Sequence, residues 1–219
     1  MTLNIKIKTW FILLILLLVT QSVSMVFATE IYERKSISMH GEPSLSPGSD
    51  SYQHADINSI QGGTLKLASL GTYDSMNPFI VKGRSAYGIR NYIFESLLSR
   101  NYSEPFSLYG LIAEHAEMPE DRSSITFYIN PKAQFHDGSS ISREDVLFSL
   151  ETFQTKGTPN QKKTYGKVVK TELVNQNGIK MIFANNEDKE LPLIIAGFLP
   201  IVPKKYYENI DVTKTFLDI

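Results

Sequence analysis

The chain has 219 residues, a formal net charge of −1 at neutral pH and no cysteine. That length suits one ordinary domain or one lobe of a larger protein. The missing cysteine excludes a disulfide framework and a lipid anchor on an N-terminal cysteine. Because the charge is near zero, the chain lacks the basic footprint of a nucleic-acid-binding protein, and we expect no nucleic-acid partner.

The first 28 residues have the pattern of a secretory signal peptide. Lys6 and Lys8 precede an unbroken apolar run over 10–19, and Val26 and Ala28 are small residues suited to cleavage after Ala28. A membrane-spanning helix needs about 20 apolar residues, so a cleaved signal is favoured over an uncleaved N-terminal anchor. We therefore expect an exported protein, either secreted or held in the periplasm of a Gram-negative cell.

Residues 29–61 are rich in Ser, Gly, Pro and Asp and have little apolar periodicity. This composition predicts an extended lead-in that precedes the folded region. We expect the folded region to begin at Gly62 and to cover 62–219.

The folded region alternates strand and helix patterns, which predicts a mixed α/β (α+β) fold. Period-two alternation predicts strands over Thr64–Leu70 and 124–130, and apolar residues at helical spacing predict a helix over 84–98. The clearest helix is predicted over 142–153, because Ser142 and Asp145 have the spacing of a capping box.

Turns and prolines organise the rest of the chain. Asn177-Gly178 between two apolar runs predicts a β-hairpin, with strands over 167–174 and 179–184. The segment 191–203 is apolar but contains three prolines, so a long helix is excluded there. Asn-Pro and Asp-Gly dipeptides, including Asp137-Gly138, predict tight turns.

The sequence lacks the common catalytic motifs. Its four histidines are not at zinc-site spacing, and His136-Asp137 is better explained by a tight turn over Phe135–Gly138 than by a metal. A Gly-x-Ser-x-Gly elbow and a phosphate-binding loop are both missing. These observations favour a binding protein over an enzyme, with no metal and no cofactor.

From Gly62 to about Tyr207 the chain resembles the periplasmic peptide-binding proteins of ABC importers, the extracellular solute-binding family 5. The resemblance is carried by the stretch Phe127–Leu150, with its aromatic-x-Asp-Gly turn and capped helix, and by Gly62–Leu67 with Asp74–Pro78. Within the family it is most similar to the YejA-type branch. The segments that carry this likeness are Ser38–Gly41, Glu104–Glu114, Pro119–Arg122 and Glu190–Leu193.

The resemblance implies the N-terminal lobe of a two-lobed class II binding protein that closes on an oligopeptide by a hinge. In the YejA-type branch the ligands include peptide-nucleotide antibiotics of the microcin C kind. The implied partners are the membrane permease subunits of an ABC importer and, through them, its ATPase subunits; the receptor itself is expected to be monomeric and periplasmic. Because family members have several hundred residues, the second lobe is expected to be missing from this chain.

The resemblance also points to substrate-binding residues. Gly83, Arg84 and Ser85 match the family loop that offers main-chain groups to a peptide, and this loop follows the turn containing Asn77 and Phe79. Tyr165 lies in a segment that carries peptide-facing tyrosines in relatives. The alternatives are an ordinary connecting loop for 83–85 and a core position for the tyrosine.

Three rival functions stay open from the sequence. The first is a fragment without present function. The second is an exported enzyme such as a peptidase, and the third is a receptor for another solute of the family, such as haem or nickel. The missing catalytic motifs count against the enzyme, and the histidine pattern counts against a metal-chelating site.

Overall fold

The computed structural model describes residues 31–45, 52, 54–56, 58–60, 62–185 and 187–214. The predicted signal peptide lies outside the described residues. Within them, no helix has both the length and the apolar content needed to cross a membrane.

The described part of the chain combines strands and helices, as predicted. The strands are β1 (Ile31–Arg34), β2 (Ser36–Ser38), β3 (Leu98–Arg100), β4 (Ser107–Gly110), β5 (Ala113–Pro119), β6 (Ser124–Ile129), β7 (Val168–Val174) and β8 (Gly178–Phe183). The helices are α1 (Ile89–Ile93), α2 (Arg143–Thr155), α3 (Pro159–Tyr165), α4 (Leu191–Phe198) and α5 (Lys204–Tyr207).

Two antiparallel sheets form the framework. The larger has the order β1-β5-β6-β8-β7 and the smaller the order β2-β4-β3. The chain passes between the sheets at Lys35 and again at 111–112, and the two crossings are tied where the Gly110 N–H donates to the Lys35 carbonyl (3.1 Å). The β1–β2 and β4–β5 segments therefore run side by side through both sheets.

Helix α2 covers the core and holds the segment that follows α4. Val146, Leu150 and Phe153 on its inner face are completely buried. Ser149, also on this face, accepts a hydrogen bond from the Val202 N–H (2.9 Å). The predicted capping box is confirmed: Asp145 N–H donates to the Ser142 hydroxyl, and the Asp145 carboxylate accepts from the Ser142 N–H (2.9 Å).

Asp145 also has a second role that the capping pattern did not predict. Its other carboxylate oxygen accepts from the Lys204 N–H (2.8 Å), at the start of α5. We expect Asp145→Asn to lower the free energy of unfolding by about 1–3 kcal/mol. The substitution replaces one accepting carboxylate oxygen with an amide nitrogen that cannot accept, so one backbone N–H loses its partner. Urea unfolding checks this. Glu144→Gln, on the same turn but exposed, is the control and should change the value by less than about 0.5 kcal/mol.

The lead-in is more ordered than its composition predicted. Strands β1 and β2 both lie within 29–61, and Ile37 of β2 is completely buried. The backbone pairing with β5 and β4 supplies the order that apolar periodicity does not. Further along, Ser44 is held on the small sheet by Glu104, whose carboxylate accepts from the Ser44 N–H and hydroxyl (both 2.8 Å).

Glu104 makes stability depend on pH. Hydrogen bonds from the Tyr109 hydroxyl and from Ser44 and Ser107 lower its pKa from 4.5 to about 2. A carboxyl with a lowered folded-state pKa stabilises the fold above its unfolded-state pKa, and this contribution is lost as pH falls from 4.5 towards 2. We expect Glu104→Gln to reduce the difference in urea midpoint between pH 7 and pH 3. Glu114→Gln, at an exposed site, is the control; equal pH dependence in wild type and Glu104→Gln would contradict the assignment.

Two predicted elements were wrong. Residues Thr64–Leu70 form no strand, because no neighbouring strand pairs with them in the described structure. The predicted helix over 84–98 is reduced to the five residues of α1. Gly88 precedes it in the left-handed region (φ 86°), and Phe94 ends it in an extended conformation.

The predicted hairpin is confirmed, but Gly178 lies outside its turn. Val174 pairs with Gly178, so the loop is 175–177, and Asn175 is its left-handed residue (φ 49°). Gly178 instead begins β8, where an added Cβ would lie 2.7 Å from the Val174 carbonyl oxygen. The glycine is therefore needed for close backbone approach and not for the turn.

Candidate ligand-binding surface

A closed loop presents the predicted residues Gly83, Arg84 and Ser85. The Asp74 N–H donates to the Arg84 carbonyl (2.8 Å), and the Arg84 N–H donates back to the Asp74 carboxylate (2.7 Å). Gly83 has φ 92°, and an added Cβ there would lie 2.9 Å from the same carboxylate. The loop thus needs glycine at 83, and it leaves Gly83 and Arg84 exposed and Ser85 half-buried.

The amide group of Asn77 forms its hydrogen bonds with backbone groups of the same chain. Its amide nitrogen donates to the carbonyls of Val212 and Lys214 (both 2.8 Å), and its amide oxygen accepts from the Phe79 N–H (3.0 Å). The side chain therefore clamps the segment 212–214 to the loop. Contact of Asn77 with a ligand stays a prediction, and the structure gives it a positioning role.

Phe79 is a core residue. Only 3% of it is exposed, and its ring packs at 4.7 Å from the Phe94 ring and 5.0 Å from the Phe153 ring, centroid to centroid. It anchors the loop to helix α2 through its contact with Phe153. Its predicted contact with a ligand is not tested by this packing, which shows only how the loop is supported.

Tyr165 is also buried, and it shares an acceptor with Arg90. The Tyr165 hydroxyl donates to the Phe198 carbonyl (3.0 Å), and the Arg90 guanidinium donates to the same carbonyl (2.7 Å) and to that of Phe94 (3.1 Å). Burial lowers the pKa of Arg90 and raises the pKa of Tyr165 to about 12. Both side chains satisfy the C-terminal carbonyl of α4, which has no partner within the helix.

Sequence reasoning missed Arg90. It lies in an apolar segment and belongs to no motif, so no local signal distinguished it from a solvated arginine. The structure shows that it joins α1 to the end of α4.

An aromatic-lined cavity lies beside α1, with a volume of about 950 Å³. Its walls come from α1, the turn at 135–139, the segment 201–203 and α5. The rings that line it are Tyr92, Phe94, Phe135, His136, Tyr206 and Tyr207. Polar groups from Glu95, Gln134, Asp137 and Lys205 lie among them, so this cavity offers apolar walls with a few hydrogen-bonding groups, as small-ligand sites commonly do.

The turn on the cavity wall has the predicted form. The Gly138 N–H donates to the Phe135 carbonyl (2.9 Å), and the Asp137 carboxylate accepts from the Ser139 N–H (2.9 Å) and hydroxyl (2.6 Å). These bonds from Ser139 lower the pKa of Asp137. Among the described residues, no three His, Asp or Glu side chains come together as metal ligands would.

The six predicted residues do not form one site. Asn77, Gly83, Arg84 and Ser85 belong to the loop, which Phe79 supports from the core, and Tyr165 serves the end of α4. None of the six lines the aromatic cavity. The described structure therefore offers two surfaces to a ligand, the exposed edge of the loop and the cavity.

Comparison with known proteins identifies relatives of this chain. Residues 107–217 match the family model described as "Bacterial extracellular solute-binding proteins, family 5 Middle". The chain is 38% identical over 175 residues to the "Peptidoglycan-binding protein YepA" of Agrobacterium fabrum, covering 77% of this chain and 28% of that protein. It is 33% identical over 192 residues to the "Probable peptide-binding protein YejA" of the same organism, covering 88% of this chain and 31% of that protein.

Solved structures show the same fold at low identity. NikZ from Campylobacter jejuni, in complex with Ni(L-His), has a TM-score of 0.53 at 21% identity and covers 66% of this chain and 28% of that one. The oligopeptide-binding protein AppA from Bacillus subtilis, with a nonapeptide, has a TM-score of 0.50 at 17% identity and covers 65% of this chain and 28% of that one.

The chain thus spans less than a third of the length of the curated relatives it matches. Its mixed α/β architecture corresponds to part of a lobe in these binding proteins. The predicted family is confirmed: the chain belongs to the bacterial extracellular solute-binding proteins of family 5.

Proposed function

We propose that this chain is the N-terminal part of a periplasmic receptor that binds oligopeptides and delivers them to an ABC importer. The observation that carries the proposal is the family match together with a relative named as peptide-binding at 33% identity. In this role the receptor performs no chemistry. Its partners are the permease subunits of the importer, whose ATPase subunits supply the energy.

The geometry of the loop supports a peptide as ligand. Gly83 and Arg84 are exposed on a backbone that the Asp74–Arg84 hydrogen bonds hold in one conformation. A fixed main-chain edge suits a receptor of broad specificity, because every peptide offers the same backbone donors and acceptors. We place the main-chain contacts at 83–85, with Asn77 and Phe79 fixing the loop and Tyr165 acting through Arg90.

The cavity supports a contribution from side chains. Exposed rings such as Tyr92 and Tyr206 on its rim provide apolar contact area at low conformational cost. The relative named as peptidoglycan-binding favours a second candidate ligand, a peptidoglycan fragment, since aromatic rings also stack on sugar faces.

The test is thermal unfolding of the full chain with and without a pool of tri- to hexapeptides. We expect peptide to raise the melting temperature, because a ligand that binds only the folded state stabilises it. A parallel series with purified peptidoglycan fragments that keep their sugars distinguishes the two ligands. A cooperative transition that saturating peptide leaves unchanged would contradict binding by this chain.

Variants locate the binding surface. Beside the main-chain contacts, we propose that the exposed Arg84 guanidinium pairs with a peptide carboxylate, so Arg84→Ala should reduce the peptide-induced rise in melting temperature without changing the melting temperature of the free chain. Lys163→Ala removes an exposed cation from α3 and serves as the matched control. Equal responses in both variants would contradict the proposed contact of the Arg84 side chain with the peptide.

A further inference from the structure

Strand β7 forms an open edge of the large sheet. The sheet order places β7 at one end and β1 at the other, and among the described residues no strand pairs with the outer side of β7. The strand has seven residues, Val168–Val174. Because an edge strand presents a row of unpaired N–H and C=O groups, it is a template for pairing with another chain. Such an edge is either protected against pairing or used for it.

One face of β7 continues the core of the large sheet. Thr171 and Leu173 lie opposite two completely buried residues of β8, which are Met181 and Ile179. Leu173 is nevertheless 46% exposed, and Val169 nearer the start of the strand is 61% exposed. The apolar face of the sheet therefore extends to its edge without a described neighbour to cover these two side chains.

The opposite face of β7 carries charges of both signs. Lys170 Nζ and Glu172 Oε1 are 2.7 Å apart, and both side chains are largely in solvent. Lys180 of β8 lies opposite Glu172. A lysine on an edge strand protects it against pairing with unrelated strands. With an acid two positions further on, however, β7 can accept a strand that presents the same charges in the reverse order.

The sequence of β7 is complementary to itself about Thr171. When two copies pair in antiparallel fashion with Thr171 opposite Thr171, Lys170 of each copy lies opposite Glu172 of the other, and Val169 lies opposite Leu173. Directly opposed pairs of this kind stabilise an antiparallel ladder. A shift by two residues, which keeps every side chain on its face, would bring Glu172 opposite Glu172 or Lys170 opposite Lys170. The charges therefore favour a single register.

A bulge near the start of β7 limits the length of this ladder. The register with β8 shifts between Val168 and Lys170, and a bulge hinders pairing at the edge where it lies. The three central pairs, formed by 170–172 of each copy, lie on the regularly paired side of the bulge. The strand therefore offers a short ladder and a small interface, which is typical of a weak complex.

We propose that two copies of this chain associate through β7, so that their two five-stranded sheets join into one. The pairing covers Val169 and Leu173, and it places Glu172 between Lys180 of its own chain and Lys170 of the other copy. Because the ladder is short, we expect a dimer that forms at about 0.1–1 mM protein. The inference goes beyond the proposed function, and it departs from the monomer that the family resemblance implies.

The first test is sedimentation equilibrium of the full chain from about 10 µM to about 1 mM, where we expect a change from monomer to dimer. Lys170→Glu should weaken the association at least about tenfold, because it brings carboxylates opposite Glu172. Lys35→Glu is the matched control, with the same change of charge at an exposed residue beside β1, at the other edge of the sheet. A wild-type chain that stays monomeric, or equal weakening by both substitutions, would overturn the proposal.

Charge exchange keeps the proposal testable if a single substitution disturbs the fold. Lys170→Glu and Glu172→Lys should each be monomeric alone but associate when mixed, because every carboxylate at the interface then lies opposite an ammonium group. The double variant, with both substitutions in one chain, should recover the dimer of the wild type. Melting temperatures should change little, since both side chains are exposed. If neither the mixture nor the double variant associates, β7 does not pair in this register and the proposal is wrong.

Hydrogen exchange locates the interface within the dimer. We expect the exchange of backbone amides in β7 to slow as the protein concentration rises, whereas exchange in β1 stays the same. A dimer whose concentration-dependent protection lies outside β7 would overturn the proposal. The peptide-induced rise in melting temperature is measured at low concentration, where the chain is monomeric, so failure of the dimer and failure of peptide binding are distinguishable.

Discussion

Phe153→Ala is expected to lower the free energy of unfolding by about 3–5 kcal/mol, the usual range for removing a large buried ring. Phe153 is completely buried on the inner face of α2, and its ring packs at 5.0 Å from that of Phe79. The substitution leaves a cavity that the helix and sheet cannot close without moving. Urea unfolding measures the loss, and Tyr102→Ala, at a residue that is 80% exposed, is the control.

The same substitution should act on the proposed ligand-binding loop. Phe79 supports the loop through its contacts with Phe94 and Phe153, so a cavity at 153 loosens the base of the loop. Phe153→Leu fills part of the space and should retain more stability and more of the peptide response than Phe153→Ala. If Phe153→Ala is as stable as the Tyr102→Ala control, the ring cluster does not have the role assigned to it.

The parts of the fold that sequence predicted are those with complete local signals. Ser142 and Asp145 define the start of α2, and the alternation over 124–130 defines β6; both are confirmed. Helix α3 had an equally clear signal that was missed, since Thr158 and Gln161 form a capping box around Pro159. In these elements the residues that fix the structure are neighbours in sequence.

The elements that sequence missed depend on distant partners. Strand β5 contains Ala, Glu and Met, which are good helix formers, and it is extended because β1 and β6 pair with it on both sides. The segment 64–70 shows the reverse: its pattern is that of a strand, but the described chain provides no partner. The local sequence pattern therefore predicted a conformational preference, and strand pairing determined which conformation the segment adopts.

The residues of the candidate site also fall into those that the sequence predicted and those whose role depends on the fold. Gly83–Ser85 was predicted from resemblance, and the structure presents that loop at the surface. Phe79 and Tyr165 have no sequence feature that distinguishes a ligand-facing ring from a core ring, and burial is a property of the folded chain. Arg90 was missed because its role depends on carbonyls of Phe94 and Phe198, the second of which is more than 100 positions away.

Arg90→Ala is expected to lower the free energy of unfolding by about 2–3 kcal/mol, since hydrogen bonds from a charged donor contribute more than neutral ones. The substitution leaves the Phe94 carbonyl without this donor, while the Phe198 carbonyl keeps the Tyr165 hydroxyl. Tyr165→Phe alone should cost only about 1 kcal/mol, because Arg90 still donates to Phe198.

The double variant separates a shared acceptor from two independent contacts. With both donors removed, the Phe198 carbonyl at the end of α4 loses both side-chain partners, so the double loss should exceed the sum of the single losses by about 0.5 kcal/mol or more. Arg90→Lys, which keeps the charge but not the two-pronged geometry, should recover part of the loss. Strict additivity in urea unfolding would show that Arg90 and Tyr165 act separately. The coupling predicted here would instead make them one connection that joins α1 and α3 to the end of α4.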